Sequence, residues 1–234
     1  MIGTTINHPV AAQTRSSAVV EPAQMTPKVT LGSASPRRAD LLRSLGVDFG
    51  VEVVELDEHA FIDELERDPR VLAETIARAK FAAFPANGTD RLLLTADTLV
   101  ACNGTVMGKP TTNRRLAAML ASMSGRELEI ATAVCVGHRG ATPQVEMVTT
   151  VVELRPLTVE EIQRYVATGA GMDKAGGLAL QAQAKPFIRT VGGCWSNVVG
   201  LPLCVVSLLL AAESAEPTYV PSPCSVTLCG SYDR

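Results

Sequence analysis

The chain has 234 residues and a mass of 24.7 kDa, with 47% hydrophobic and 19% charged residues, a balance that suits one large globular domain and excludes a disordered chain. Lys and Arg total 21 against 24 Asp and Glu, a net charge of −3, so no global field draws nucleic acid or an acidic membrane and any anionic ligand must be held locally. The most apolar stretch, residues 201–212, is broken by Pro202 and Ser207 and falls short of the roughly 20 residues of a bilayer span.

Residues 1–27 carry Pro9, Pro22 and Pro27 among small polar residues, and residues 213–234 carry Pro217, Pro221 and Pro223. Both read as flexible extensions of a domain at 28–212. Arg15 precedes the first acid, Glu21, yet the repeated Arg and apolar run of a targeting signal are missing, and the expected location is the cytoplasm. Six cysteines, at 102, 135, 194, 204, 224 and 229, include no CxxC pair, which fits small buried hydrophobes in a reducing compartment. Cys224 and Cys229 have no nearby His or further Cys to complete a zinc site.

The domain reads as α/β. A strand at 28–31 meets SASP, after which Ala39, Leu41, Leu42 and Leu45 recur at helical spacing. Ser35 suits the N-cap, Pro36 the first helical position and Gly46 the stop. Then come a strand at 51–55, a helix from Asp68 and Pro69 to about Phe84, and a buried strand over 91–96 ending at Asp97. Asn103-Gly104 predicts a tight hairpin. A helix over 113–123 stops at Gly125, and two β-rich runs, 127–136 and 144–154, predict an antiparallel pair inside a mixed sheet. Thr158 and Glu161 form a capping box for a helix ending near Gly169, and the last helix follows Pro202.

Five segments concentrate chemistry. LGSASPRR places Ser33, Ser35, Arg37 and Arg38 at a helix start, where unpaired N–H groups, hydroxyls and guanidiniums make an anion cradle; an ordinary cap with two solvated arginines is the plainer alternative. The Walker pattern is absent. LLLTADTLV sets Asp97 and Thr98 after a hydrophobic strand, where a carboxylate can act as base or metal ligand or merely cap a turn. Lys80 in ARAKFAAF and Lys109 in MGKP accompany it; a solvated lysine is the plainer explanation for each, more so for Lys80, whose long stem can snorkel. ATGAGMDKAGGLALQ misses the dinucleotide fingerprint because Lys174 takes the third glycine position. Its glycines suggest close backbone approach to a ligand, with Lys174 for phosphate and the Gln181 amide for a base edge, or else a flexible loop.

LDEHAFIDELERD reads as a solvated acidic loop from which Glu58 is the candidate metal ligand beside Asp97, since Mg²⁺ typically takes only one or two carboxylates. His8, His59 and His138 are too scattered for a His-based site, no GxSxG elbow exists, and Trp195 reads as packing.

Taken together, SASPRR, ADT, GKP, DKAG with a following Gln, and NVVGLPL resemble, in order and spacing over residues 29–212, the Maf family of nucleoside triphosphate pyrophosphatases. The resemblance implies an elongated, curved mixed sheet with flanking helices, two lobes around a deep cleft, and a homodimer. It implies hydrolysis of a nucleoside triphosphate to the monophosphate and pyrophosphate with a divalent cation, Mg²⁺ or Mn²⁺, in a housecleaning role. The family's proton acceptor falls on Asp97, its base-selecting positions on Arg37, Thr98 and Gln181, and its further substrate contacts on Ser33, Arg38, Lys80 and Lys109. Asp-Thr and DKAG resemble the branch acting on dTTP and UTP. Ala182 stands where members commonly have Gly, a departure that bears on base preference more than on the reaction. The alternative is a nucleotide-binding regulator of septum formation or cell division acting through a partner.

Overall fold

The structure, a computed structural model, describes residues 28–62, 68–86, 91–213 and 215. The expected terminal extensions and the Cys224–Cys229 pair lie outside these residues. Among the described residues the strands are β1 Val29–Gly32, β2 Phe49–Glu52, β3 Leu92–Cys102, β4 Thr105–Val106, β5 Glu127–His138, β6 Gln144–Leu154 and β7 Ile188–Gly192. The helices are α1 Pro36–Ser44, α2 Glu58–Ile62, α3 Pro69–Ala82, α4 Asn113–Met123, α5 Val159–Ala167, α6 Trp195–Val199 and α7 Leu203–Ala212.

One seven-stranded sheet runs β2-β1-β3-β5-β6-β7, with β4 added to β3. β1 is parallel to β2 and β3, and every other pairing is antiparallel. This is the mixed α/β sheet the sequence implies, and β5–β6 is the predicted antiparallel pair. Its local signals are realised: the Ser35 hydroxyl caps α1 and Thr158 and Glu161 make both bonds of the capping box on α5. Asn103 and Gly104, with φ of 50° and 71°, make the left-handed pair that a two-residue hairpin requires. The sequence reading missed β7, α2 and α6, each only five residues long, too short for periodicity to show.

Strand alternation distributes β3 among three cores. Leu93 and Leu99 face Leu72, Ile76 and Phe81 of α3. On the opposite face Leu92, Leu94 and Ala96 pack with α1 and α7, and Val100 and Cys102 pack with α4 and α5. Thr98 shares that second face and falls between its two cores. The described cysteines 102, 135, 194 and 204 are all buried, and burial pushes the Cys135 thiol up to about 11. Trp195 packs against the α4–α5 core. No helix among the described residues is long and apolar enough to cross a membrane.

Candidate active site

β5 pairs with β3 along its whole length, but on the other side β1 stops opposite Leu94 and β4 begins opposite Ala101. Residues 95–100 therefore have no strand partner on that side, and a cleft of about 380 Å³ opens there. This corrects the expectation that Asp97 ends its strand: Asp97 lies mid-strand, opposite Ala133. It is reached through the notch left by a neighbour that stops early. Because successive side chains point to opposite faces, Asp97 and Thr98 bring both faces of the sheet to one cleft.

On the first face Asp97 meets α3. Lys80 continues the sheet-facing stripe of Leu72, Ala73, Ile76 and Ala77, so its stem is buried and its ammonium points along the sheet into the cleft rather than into solvent. Lys80 Nζ donates to Asp97 Oδ1 at 2.6 Å and lies 2.7 Å from Glu58 Oε1. Burial raises the Glu58 pKa, but the hydrogen bond from Lys80 and the charges of Lys80, Lys109 and Arg38 outweigh it and leave the carboxyl below its ordinary value.

On the second face Arg38, four residues before buried Leu42 on the inward side of α1, spends its guanidinium on three partners. Nε donates to the Gly200 carbonyl at 2.8 Å, one terminal nitrogen to Ser33 Oγ at 3.3 Å and the other to Thr98 Oγ1 at 3.0 Å. Burial lowers the Arg38 pKa and the charges of Asp97 and Glu58 oppose that shift. Thr98 Oγ1 also lies 2.9 Å from Thr132 Oγ1, so this hydroxyl orients Arg38 while lining the cleft. Ser33 Oγ accepts from the Ser35 N–H at 3.2 Å, which shapes the turn that holds Ser35 and Arg37 at the cleft wall.

Lys109, Lys174 and Gln181 line the far wall. Lys109 is exposed, whereas Lys174 is paired with the Asp173 carboxylate at 2.5 Å. Lys174 and then Arg37 hold the Asp173 carboxyl below its ordinary range. Two glycines of this segment, Gly176 and Gly177, are held by close packing against protein, while a Cβ on Gly169 would meet open space. Gly176 and Gly177 have φ of 67° and 68°; a Cβ on Gly176 would stand 3.1 Å from Val100 and one on Gly177 2.4 Å from Leu116. Their bare backbone packs against protein, and the Gly176 N–H donates to the Met107 and Gly108 carbonyls at 2.9 and 3.1 Å. That bond joins the Lys174 segment to the Lys109 segment.

All the residues singled out in the sequence, Ser33, Ser35, Arg37, Arg38, Glu58, Lys80, Asp97, Thr98, Lys109, Lys174 and Gln181, thus line one cleft. The family described as Maf-like protein matches residues 28–213. The chain belongs to the Maf family. A dTTP/UTP pyrophosphatase of Syntrophomonas wolfei is 43% identical to it over 187 residues, 80% of this chain and 97% of that one. A dTTP/UTP pyrophosphatase of Moorella thermoacetica is 42% identical over 185 residues, 79% and 94% of the two chains. Among solved structures, a HAM1 protein from Coxiella burnetii aligns at 15% identity and a TM-score of 0.34 over 68% of this chain and 90% of that one.

Two residues that hold the walls of the cleft in place escaped sequence reasoning. Tyr165 is buried on α5; its hydroxyl donates to the Gly177 carbonyl at 2.9 Å and accepts from the Ala179 N–H at 2.8 Å. It clasps the segment that carries Lys174 and Gln181. Asn197 is fully buried on α6, where its Nδ2 donates to the Ile130 carbonyl at 3.0 Å and to Thr150 Oγ1 at 2.9 Å. It anchors the short helix that presents the Gly200 carbonyl to Arg38. The polar Asn within apolar NVVG was a signal that could have been used; Tyr165 gave none beyond its place on the apolar stripe of α5. Among the described residues no group of three or more His, Cys, Asp and Glu could hold a metal ion. Glu58 and Asp97 nevertheless already share one cation, the Lys80 ammonium, and two carboxylates completed by phosphate oxygens and water are a donor set that suits Mg²⁺.

Proposed function

We propose that the chain hydrolyses nucleoside triphosphates to the monophosphate and pyrophosphate, with dTTP and UTP as the first candidates. The observation that carries the reading is the meeting of Asp97 with Lys80, Arg38 and Ser33 at the notch in the sheet. The activity for which the bacterial relatives are named supports it, and no observation favours the regulatory alternative.

A triphosphate repels an incoming nucleophile until its charge is offset. In this reading Arg37, Arg38, Lys109 and Lys174 supply positive charge, and the Ser33 and Ser35 hydroxyls and N–H groups at the start of α1 hold phosphate oxygens. Glu58 and Asp97 hold a divalent cation, Mg²⁺ or Mn²⁺, which when bound further neutralises the phosphates. Asp97 accepts the proton of a water whose oxygen bonds to the α-phosphorus, as the bridging oxygen leaves with pyrophosphate. The strand pairing of β3 with β5 fixes the carboxylate for that task. Val100, Ile130, Leu178 and Val198 are among the apolar residues that line the cleft, which suits a base, with the Gln181 amide to read its edge.

The test is pyrophosphate release from a panel of standard and modified triphosphates with Mg²⁺ or Mn²⁺. The expected result is turnover, fastest with dTTP and UTP. Binding without turnover across the whole panel would sink the reading in favour of a regulator.

A further inference from the structure

We infer that Lys80 is the resting counter-ion of the acid pair, and that the divalent cation enters only with the triphosphate, which draws the ammonium off the carboxylates onto phosphate oxygens. The inference rests on the hydrolase reading above and adds an order of binding to it.

An ammonium has three donors. Lys80 directs one to Asp97 at 2.6 Å and another to Glu58 at 2.7 Å, with the Lys80 and Asp97 side chains only 13% and 7% exposed. Such charge-assisted bonds are stronger than neutral ones, and little water is at hand to replace the one to Asp97, although the Glu58 side chain is 38% exposed. A divalent cation arriving alone must break both and then share the pocket with the displaced positive charge. Arg38 and Lys109 already act on the same carboxylate, Glu58, so the repulsion is not confined to Lys80. The cation also lacks ligands: among the described residues no third His, Cys, Asp or Glu joins Asp97 and Glu58 to complete a metal site.

A triphosphate removes both obstacles. Its oxygens complete the coordination of the cation and offer the Lys80 ammonium a new anionic acceptor, and its charge offsets Arg38 and Lys109. Lys80 reaches the cleft from the C-terminal half of α3 on an unbranched stem, so the exchange needs side-chain rotation and no movement of the helix.

The probe is Mn²⁺, whose free concentration is read by electron paramagnetic resonance on the full chain, alone and with an α,β-methylene analogue of dUTP. After correction for the Mn²⁺ that the analogue binds without protein, wild-type protein is expected to bind Mn²⁺ weakly alone and at least roughly tenfold more tightly with the analogue. Lys80→Met is expected to tighten nucleotide-free Mn²⁺ binding by roughly tenfold and to shrink the advantage given by the analogue. Equal wild-type affinity with and without the analogue would overturn the inference, as would a Lys80→Met protein that binds Mn²⁺ no better than wild type. If Lys80→Met does not fold, Lys80→Gln is measured in the same way, and the wild-type comparison stands without either variant. None of these readouts needs turnover, so the order of binding can fail while pyrophosphate release persists. An analogue that does not bind at all would overturn both readings.

Discussion

On the wall made by β1, α1 and α3, the side chains hold one another: Arg38 bridges Ser33, Thr98 and Gly200, and Lys80 bridges Asp97 and Glu58. On the wall made by residues 107–110 and 171–181, backbone does the holding: Gly176 bonds to Met107 and Gly108, Gly177 packs on Leu116, and Tyr165 clasps the chain at Gly177 and Ala179. Lys109 is left exposed on this second wall. The first wall is therefore preorganised through charge, which favours chemistry at a fixed point, and the second through packing, which sets where ligand-facing side chains start from. Substitutions in the two walls should fail differently.

The largest effect is expected for Asp97→Asn, which keeps the shape and removes the charge. Pyrophosphate release should fall by a factor on the order of 10² to 10³, as for loss of a group that acts in the transition state. Lys80 keeps its contact with Glu58 in this variant, so heating should still give one cooperative unfolding transition. Full activity would remove Asp97 from the reaction.

A smaller, different effect is expected on the other wall. Tyr165→Phe leaves the Gly177 carbonyl and Ala179 N–H buried without the hydroxyl, a loss of about 1–3 kcal/mol in stability. Its kinetic signature should be a raised KM with a lesser change in kcat, because the segment that carries Lys174 and Gln181 loosens while Asp97 and Lys80 stay as they were. If kcat alone fell, the division of labour between the walls would be wrong.

What could be read from the sequence divides along the same line. Local signals were legible because they depend on neighbours in the chain: the Ser35 cap with Pro36, the Asn103-Gly104 turn and the Thr158–Glu161 box all form as read. The charged wall was legible only when its motifs were taken together in order, since Lys80 and Arg38 each read separately as solvated cations and Asp97 as a turn cap. Features set by a distant partner were not. β3 continues to Cys102 because β5 pairs with it throughout, and Asp97 is accessible because β1 stops opposite Leu94; neither fact is written near Asp97. The glycines at 176 and 177 fit a ligand, a flexible loop and close packing equally well until Val100 and Leu116 are seen beside them. Tyr165 reads as one more core aromatic until its hydroxyl finds Gly177.

The smallest expected effect sharpens the comparison by loosening the second wall alone, through the start of the helix that bears Tyr165. Glu161 accepts from Arg155 at 2.7 and 3.0 Å and from the Thr158 N–H at 2.9 Å. The hydrogen bonds from Arg155, followed by the Thr158 N–H, hold its carboxyl down from 4.5 to about 2. A carboxyl whose pKa is lower in the folded chain than in the unfolded one adds stability that is complete above the unfolded value and disappears as pH falls through the folded value. Glu161→Gln preserves an acceptor for the capping box but removes the charge. The melting temperature of wild-type protein should therefore exceed that of Glu161→Gln by a small margin above about pH 5. The margin should narrow between 4.5 and about 2, and it should shrink with added salt as a surface ion pair does. A margin that is independent of pH would place the effect in the shape of the side chain rather than in its charge.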